Sequence, residues 1–312
     1  MGEKTFYIKG NDGFELFTRR YSDDRQNIKG VVHILHGMSE HSGRYEDFAH
    51  YLAASGYVVY THDHRCHGKS LRDFEGLGVF TKEDSFDRIV DDALSVMDEI
   101  RSREATDSII TLGHSMGSVI LRGVLQRRPQ SLSCAIIMGS VPFYPKLMIT
   151  SMRAMAFFSG LKHDDDAKNY ALARKINRSN IKDIETQGKN DWISTDANVV
   201  KAYEADPLSG FVYTTWFYRH FFAFIEEVSK THNIDRSANV PMLFISGDKD
   251  PLSKNMRAIK QMKTYYMGRI PGLKAEMLTV EGARHEVLNE MNKKVTYKRI
   301  VQWIKSSQEG DD

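Results

Sequence analysis

The chain has 312 residues, with 43 basic against 41 acidic side chains for a formal net charge of +2, and only two cysteines. That length buries a sizeable core and fits one large domain, or a domain with an insertion. The balanced charge gives no electrostatic footprint for nucleic acid, and Cys66 and Cys134 make no disulfide framework. Residues 1–9 carry no apolar leader segment and no apolar run approaches the length of a membrane span, so a cytoplasmic location is expected.

Residues 6–8 and 14–21 alternate apolar and polar side chains across the turn Gly10-Asn11-Asp12-Gly13, which predicts an antiparallel hairpin at a sheet edge. Residues 31–36 and 57–61 are nearly continuous apolar runs, the mark of strands buried on both faces. Between them, residues 45–54 have helical spacing and Gly56 stands where a helix would end. Phe86, Ile89, Val90, Ala93, Leu94, Met97 and Ile100 form a helical stripe. A strand at 109–112, a helix at 119–126 and a strand at 134–139 follow.

From 141 to about 235 the strand pattern stops. Leu147, Met148, Met152, Met155, Ala156 and Phe158 fit one face of a helix, and 211–228 is crowded with aromatics. Alternation then resumes, with strands at 240–246 and 276–280 and helices at 254–267 and 287–305. Strands alternating with helices imply right-handed crossovers, hence an α/β fold with a mostly parallel eight-stranded sheet flanked by helices. Residues 1–140 and 236–312 are expected to form its core, with 141–235 as an inserted helical cap.

The stretch Gly113-His114-Ser115-Met116-Gly117 is G-x-S-x-G between a strand-like and a helix-like run. This is the nucleophile-elbow pattern, in which glycines relieve the crowding of a strained strand-to-helix turn that lifts the serine hydroxyl clear of the sheet. A serine needs a base, and the base needs an acid to orient it. In open α/β sheets both belong at the carboxyl ends of later strands. Gly247-Asp248-Lys249-Asp250 follows one such strand and Gly282-Ala283-Arg284-His285 another, giving the chain order Ser, Asp, His of α/β-hydrolases. Asp250 is preferred to Asp248 because it lies further beyond its strand; Asp248 suits a turn, where it would satisfy backbone amides. Oxyanion stabilisation is assigned to the backbone N–H of Met116, after the nucleophile, and of Met38, in the loop after the third strand.

His36-Gly37-Met38-Ser39-Glu40-His41-Ser42-Gly43-Arg44-Tyr45, Asp63-His64-Arg65-Cys66-His67-Gly68-Lys69-Ser70, the elbow, 247–251 and 282–290 together resemble the monoacylglycerol lipase and lysophospholipase-like branch of the α/β-hydrolases, of serine aminopeptidase S33 type. The resemblance implies the triad Ser115, Asp250 and His285, the oxyanion amides of Met38 and Met116, and a helical cap over an acyl pocket. It implies no cofactor and no metal, a small-molecule lipid ester as substrate, and a cap able to touch a bilayer surface transiently. Candidate substrate contacts are His36, Gly37, His114, Met148, Met152, Phe158 and Trp192. The chain departs from the family at Cys66, where the family has Gly, so the conformation of that loop does not carry over.

Other readings remain open at this level. His62-Asp63-His64-Arg65-Cys66-His67 resembles the H-x-H-x-D-H metal run of another hydrolase class, with Cys66 where that run needs Asp. Carboxylesterase, thioesterase and peptidase chemistry share the triad machinery, and a ligand-binding protein could retain it without turnover.

Overall fold

The computed structural model describes residues 2–23, 25–71, 76–182, 184 and 188–309. Strands β1 (Gly2–Lys9) and β2 (Glu15–Ser22) pair antiparallel, Gly2 opposite Ser22 and Lys9 opposite Glu15, so the predicted hairpin forms one edge of the sheet. Next come β3 (Gly30–Leu35), helix α1 (Glu46–Ala54), β4 (Tyr57–His62), α2 (Phe86–Glu104), β5 (Ile109–His114), α3 (Met116–Arg127) and β6 (Cys134–Met138). After a helical stretch come β7 (Met242–Gly247) and β8 (Ala275–Val280), and the strand order is β1-β2-β4-β3-β5-β6-β7-β8. Every pairing from β4 to β8 is parallel. β3 has β4 on one side and β5 on the other, so the winding reverses there, and a crevice opens at the carboxyl ends of β3 and β5.

The period-2 alternation along the buried strands builds two cores. Val31, Leu35, Val58, Ile109, Ile137 and Phe244 face one side, with Val90 and Met97 of α2 and Val119 of α3. Val32, Ile34, Val59, Ile110, Leu112 and Ile245 face the other, with Phe48 of α1 and Ile300 and Ile304 of α10 (Lys293–Glu309).

Between β6 and β7 the chain forms α4 (Lys146–His163), α5 (Tyr170–Ile181), α6 (Ala197–Ala205), α7 (Thr215–Val228) and the short α8 (Thr231–Ile234). Among the described residues this stretch has no strand, only an isolated bridge between Lys168 and Thr214. Helix α7 anchors this stretch: the rings of Phe217, Phe221 and Phe224 pack edge-on, tilted and stacked against Phe86 of α2, in the same core as helix α3.

Two predicted helices start late. Lys254, Asn255 and Met256 all have positive φ, which delays α9 to Arg257–Arg269. Residues 287–292 are turns and not the first part of α10; Val287 and Leu288 still point into the core, and Glu290 is drawn into tertiary hydrogen bonds. The expected face of α4 also divides: Ala156 is buried, Met152 and Met155 are half-buried, and Leu147 and Phe158 are open to solvent.

Candidate active site

Ser115 joins β5 to α3 with φ 52° and ψ −116°, a strained backbone held by a hydrogen bond from its N–H to the Met138 carbonyl (2.9 Å). The flanking glycines are dictated by approach distance. A Cβ at Gly113 would lie 2.4 Å from the Gly117 carbonyl oxygen, and one at Gly117 would lie 2.1 Å from the Leu35 oxygen. The elbow is thereby pressed against the end of β3, and the amino end of α3, with its positive dipole end, opens at Ser115.

Asp250 and His285 come together from the ends of β7 and β8. His285 Nδ1 is 3.1 Å from Asp250 Oδ2, which also accepts from Ser246 Oγ (3.0 Å), while Oδ1 accepts from Leu252 N–H (2.9 Å). Burial alone would raise the Asp250 carboxyl; the His285 ring, the Leu252 amide and the Ser246 hydroxyl outweigh it and hold the group below its ordinary value. The other imidazole nitrogen, His285 Nε2, is buried and without a hydrogen bond among the described residues. Asp248 instead accepts from Gly282 N–H (2.8 Å), a turn-closing role.

The loop after β3 is organised by Glu40, to which the sequence reading gave no part. Its buried carboxylate accepts from Gly37 N–H (2.5 Å), Tyr45 Oη (2.8 Å) and Arg44 Nη1 (2.8 Å), and lies 3.2 Å from His114 Nδ1. Arg44 bridges onward to Glu286, the residue after His285, through both terminal nitrogens. Burial would raise Glu40, but His114 and Arg44 overcome it and keep the carboxyl well below the usual range; burial would lower His114, and Glu40 raises it instead. Ser39 N–H is likewise spent, on Tyr213 Oη (2.5 Å). Met38 N–H lies between these two committed amides and makes no hydrogen bond among the described residues. Removing the Glu40 side chain leaves Gly37 N–H without its acceptor, takes the carboxylate from Tyr45 Oη and His114, and leaves Arg44 with Glu286 alone, so Glu40→Ala is expected to cost about 3–5 kcal/mol of folding stability. A urea midpoint unchanged by the substitution would contradict that.

A cavity of about 200 Å³ is lined by Gly37, Met38, His114, Ser115, Trp192 and His285 among others. A second, of about 80 Å³, shares Met38, Ser115 and Trp192 and continues between Met116, Val141, Met152, Phe221 and Ile225. The Trp192 ring centroid is 4.8 Å from that of His285. Its segment is laced to the base loop: Trp192 and Ile193 carbonyls accept from His285 and Glu286 N–H, and Glu290 accepts from Thr195 and Arg284 N–H.

Three expected contacts lie elsewhere. His36 is fully buried, with Nδ1 on the Gly37 carbonyl and Nε2 accepting from His64 N–H, and it lines neither cavity. Phe158, 66% exposed, and Met148, 40% exposed, point out from α4 and line neither cavity. An apolar residue on an amphipathic helix reads alike whether it meets a ligand or water. His62, His64 and His67 take separate partners: His33, the His36 carbonyl, and Tyr213 with the Arg65 carbonyl. Among the described residues no group of three potential ligands converges there. Cys66 has φ 68°, the left-handed conformation glycine adopts freely, so a buried cysteine carries the strain of this turn. Cys134 is a buried free thiol.

A family model described as serine aminopeptidase, S33, matches residues 26–292, which include every residue of this site. The chain belongs to this family. Its fold is that of the α/β-hydrolases. The S33-family chain resembles a carboxyl esterase from Bacillus coagulans, solved in complex with glycerol, with a TM-score of 0.88 over 98% of this chain and 99% of that one at 21% identity. It is similar to a monoacylglycerol lipase of Mycolicibacterium smegmatis, 26% identical over 89% of each chain. A monoglyceride lipase homolog of Monkeypox virus is 25% identical over 88% of this chain and 89% of its own length. No helix among the described residues is long and apolar enough to cross a membrane.

Proposed function

We propose that this protein is a serine hydrolase of lipid-type carboxylic esters, monoacylglycerol or lysophospholipid, working through Ser115, His285 and Asp250. The observation that carries the reading is the state of His285, which lines the same cavity as Ser115: Nδ1 is held by a buried carboxylate while Nε2 has no hydrogen bond among the described residues. Nε2 takes the Ser115 proton as Oγ attacks the ester carbonyl, and the oxyanion is received by the N–H groups of Met38 and Met116. Collapse of the tetrahedral intermediate breaks the ester C–O bond, and His285 gives its proton to the departing alcohol. Water, deprotonated by the same ring, then cleaves the acyl-enzyme to the acid and free serine. Asp250 keeps the ring oriented and stabilises its cation.

The helices of 141–235 act in this reading as a cap, with the lobe formed by Val141, Met152, Phe221 and Ile225 receiving the acyl chain. The names of the relatives support a lipid ester. Removing an amino-terminal residue from a peptide, as the family's description names, calls for a carboxylate to receive the ammonium group. The two acids lining the cavity, Glu40 and Glu286, are both committed to Arg44, which favours the ester. Leu147, Phe157, Phe158 and Leu161 lie exposed along α4 beside Lys146, Arg153 and Lys162, and suit transient seating of the cap on a lipid surface.

Chain length tests the acyl lobe. Each methylene buried is worth about 0.8 kcal/mol, roughly fourfold in kcat/KM. Across p-nitrophenyl esters kcat/KM is expected to climb from acetate to hexanoate; a steady fall beyond acetate would overturn the lipid assignment.

A further inference from the structure

The two lobes that meet at Ser115 differ in chemistry. The inner one is walled by apolar side chains. The outer one is faced by α5, whose Ala173, Ile176, Asn177 and Asn180 recur at helical spacing along the cavity wall with Arg174 at their edge, and by Lys189 from the segment after it. The acids of this lobe are already used: Glu40 and Glu286 hold Arg44. Nearby, Asp191 accepts from Gly188 N–H and Glu204 from Asn190 Nδ2. Arg174 and Lys189 have no ion-pair partner among the described residues.

Exposed lysines and arginines ordinarily just solvate a surface. These two differ in position, because both line the lobe onto which Ser115 opens and neither has an ion-pair partner among the described residues. Glu40 and Glu286 face the same lobe but are paired with Arg44, which leaves Arg174 and Lys189 as its unpaired charges, and unpaired cations in a concavity concentrate anions. An arginine fork and a lysine point charge together match a phosphate, which offers several acceptor oxygens.

We infer that the outer lobe selects the leaving group, and that its preferred substrate is an anionic lysophospholipid, a glycerol bearing both the scissile acyl ester and a phosphate, over the neutral monoacylglycerol. This rests on the ester-hydrolase reading of Ser115. With the acyl chain in the inner lobe and the ester at Ser115, the glycerol and its phosphate remain in the outer lobe.

The test compares lysolipids of one acyl chain, presented as monomers: lysophosphatidic acid (phosphate monoester), lysophosphatidylglycerol (anionic diester), lysophosphatidylcholine (zwitterionic) and the monoacylglycerol (neutral). The readout is the ratio of kcat/KM for each phosphate-bearing substrate to that for the neutral one. For the wild-type protein at low salt the anionic ratio is expected to be about tenfold or more, and to shrink as salt is added. Arg174→Gln with Lys189→Gln is expected to bring it near one, and Lys189→Glu to push it lower. The monoester and diester arms tell a terminal phosphate from a bridging one; a preference for either supports the inference. A wild-type ratio at or below one, or a ratio unmoved by these substitutions, overturns it while leaving ester hydrolysis standing. Failure to turn over any of the four substrates would instead remove the ester-hydrolase reading beneath it.

Discussion

Alanine in place of Ser115 is expected to abolish measurable turnover of a medium-chain ester while leaving the protein folded. In serine triads, loss of the nucleophile or the base costs about 10⁶ in kcat and loss of the acid about 10⁴, so Ser115→Ala and His285→Ala should match each other and exceed Asp250→Asn. The three act as a unit, and the double substitution of Ser115 and His285 should be no worse than either alone. Folding should survive because the change is small where it matters. Ser115 Oγ has no hydrogen bond among the described residues to lose, and alanine has the same Cβ in the strained φ 52° turn. A melting temperature within about 2 °C of wild type is therefore expected, since exposed or unpartnered groups contribute little to stability. Asp250→Asn differs in kind. An amide has one oxygen for the carboxylate's two, so its NH2 must face either Leu252 N–H or the ring and the Ser246 hydroxyl, and with the charge gone the imidazole loses its counter-charge and a firm hold on its tautomer. Undiminished hydrolysis by Ser115→Ala, with the serine shown absent by mass, would end the proposal.

The strands of the sheet were legible because each buried strand is a short apolar run set off by turns, and the elbow because its glycines announce backbone contact in their spacing. Asp250 and His285 were legible from their positions beyond strand ends, and the structure puts them 3.1 Å apart. What escaped was the support. Glu40 and Arg44 were visible as part of a ten-residue motif, yet nothing local says that the carboxylate reaches Gly37 N–H or that the guanidinium reaches Glu286 across 242 residues of sequence. Glu290 closes the 282–290 segment that carries part of the resemblance, yet its role was hidden, since an acid that ties Thr195 to Arg284 looks like any solvated acid on a predicted helix. Helix starts failed for a related reason. Residues 254–256 and 287–292 have helical composition, and tertiary demands near the site override it.

The largest pH effect is expected in stability rather than in the chemical step, and it comes from the imidazoles under the site. His33, His36, His62, His64 and His67 are all fully buried, with His36 and His64 rings 4.2 Å apart and His33 Nε2 2.9 Å from His62 Nδ1. Burial pushes His33 and His67 down to about 3 and His36 to about 4, and burial together with the neighbouring rings holds His62 and His64 well below the ordinary value. A histidine depressed on folding adds no penalty above the unfolded value near 6.5. Below it the unfolded chain takes up the proton and the folded one does not, so stability is lost as pH falls from 6.5 toward the folded values. At pH 5.5 that is about 1.4 kcal/mol for each ring, roughly 7 kcal/mol for all five, against a typical total of 5–15 kcal/mol. His114 works the other way, because Glu40 raises it and its contribution is fully present below pH 6.5, but it is one ring against five. Glu40 and Asp250, held low, lose their contributions only at more acidic pH, beneath this window. The melting temperature should thus fall by about 10 °C between pH 7.5 and 5.5. Replacing the hydrogen-bonded pair, His33→Val with His62→Leu, should flatten the slope by about two rings' worth, roughly two-fifths. A melting temperature level across that interval would mean that the rings are protonated or hydrated in the folded protein. Because His36 hydrogen-bonds the Gly37 carbonyl and receives His64 N–H, acid should loosen the loop carrying Met38 first. Activity at pH 5.5 should then decay with incubation before global unfolding is seen.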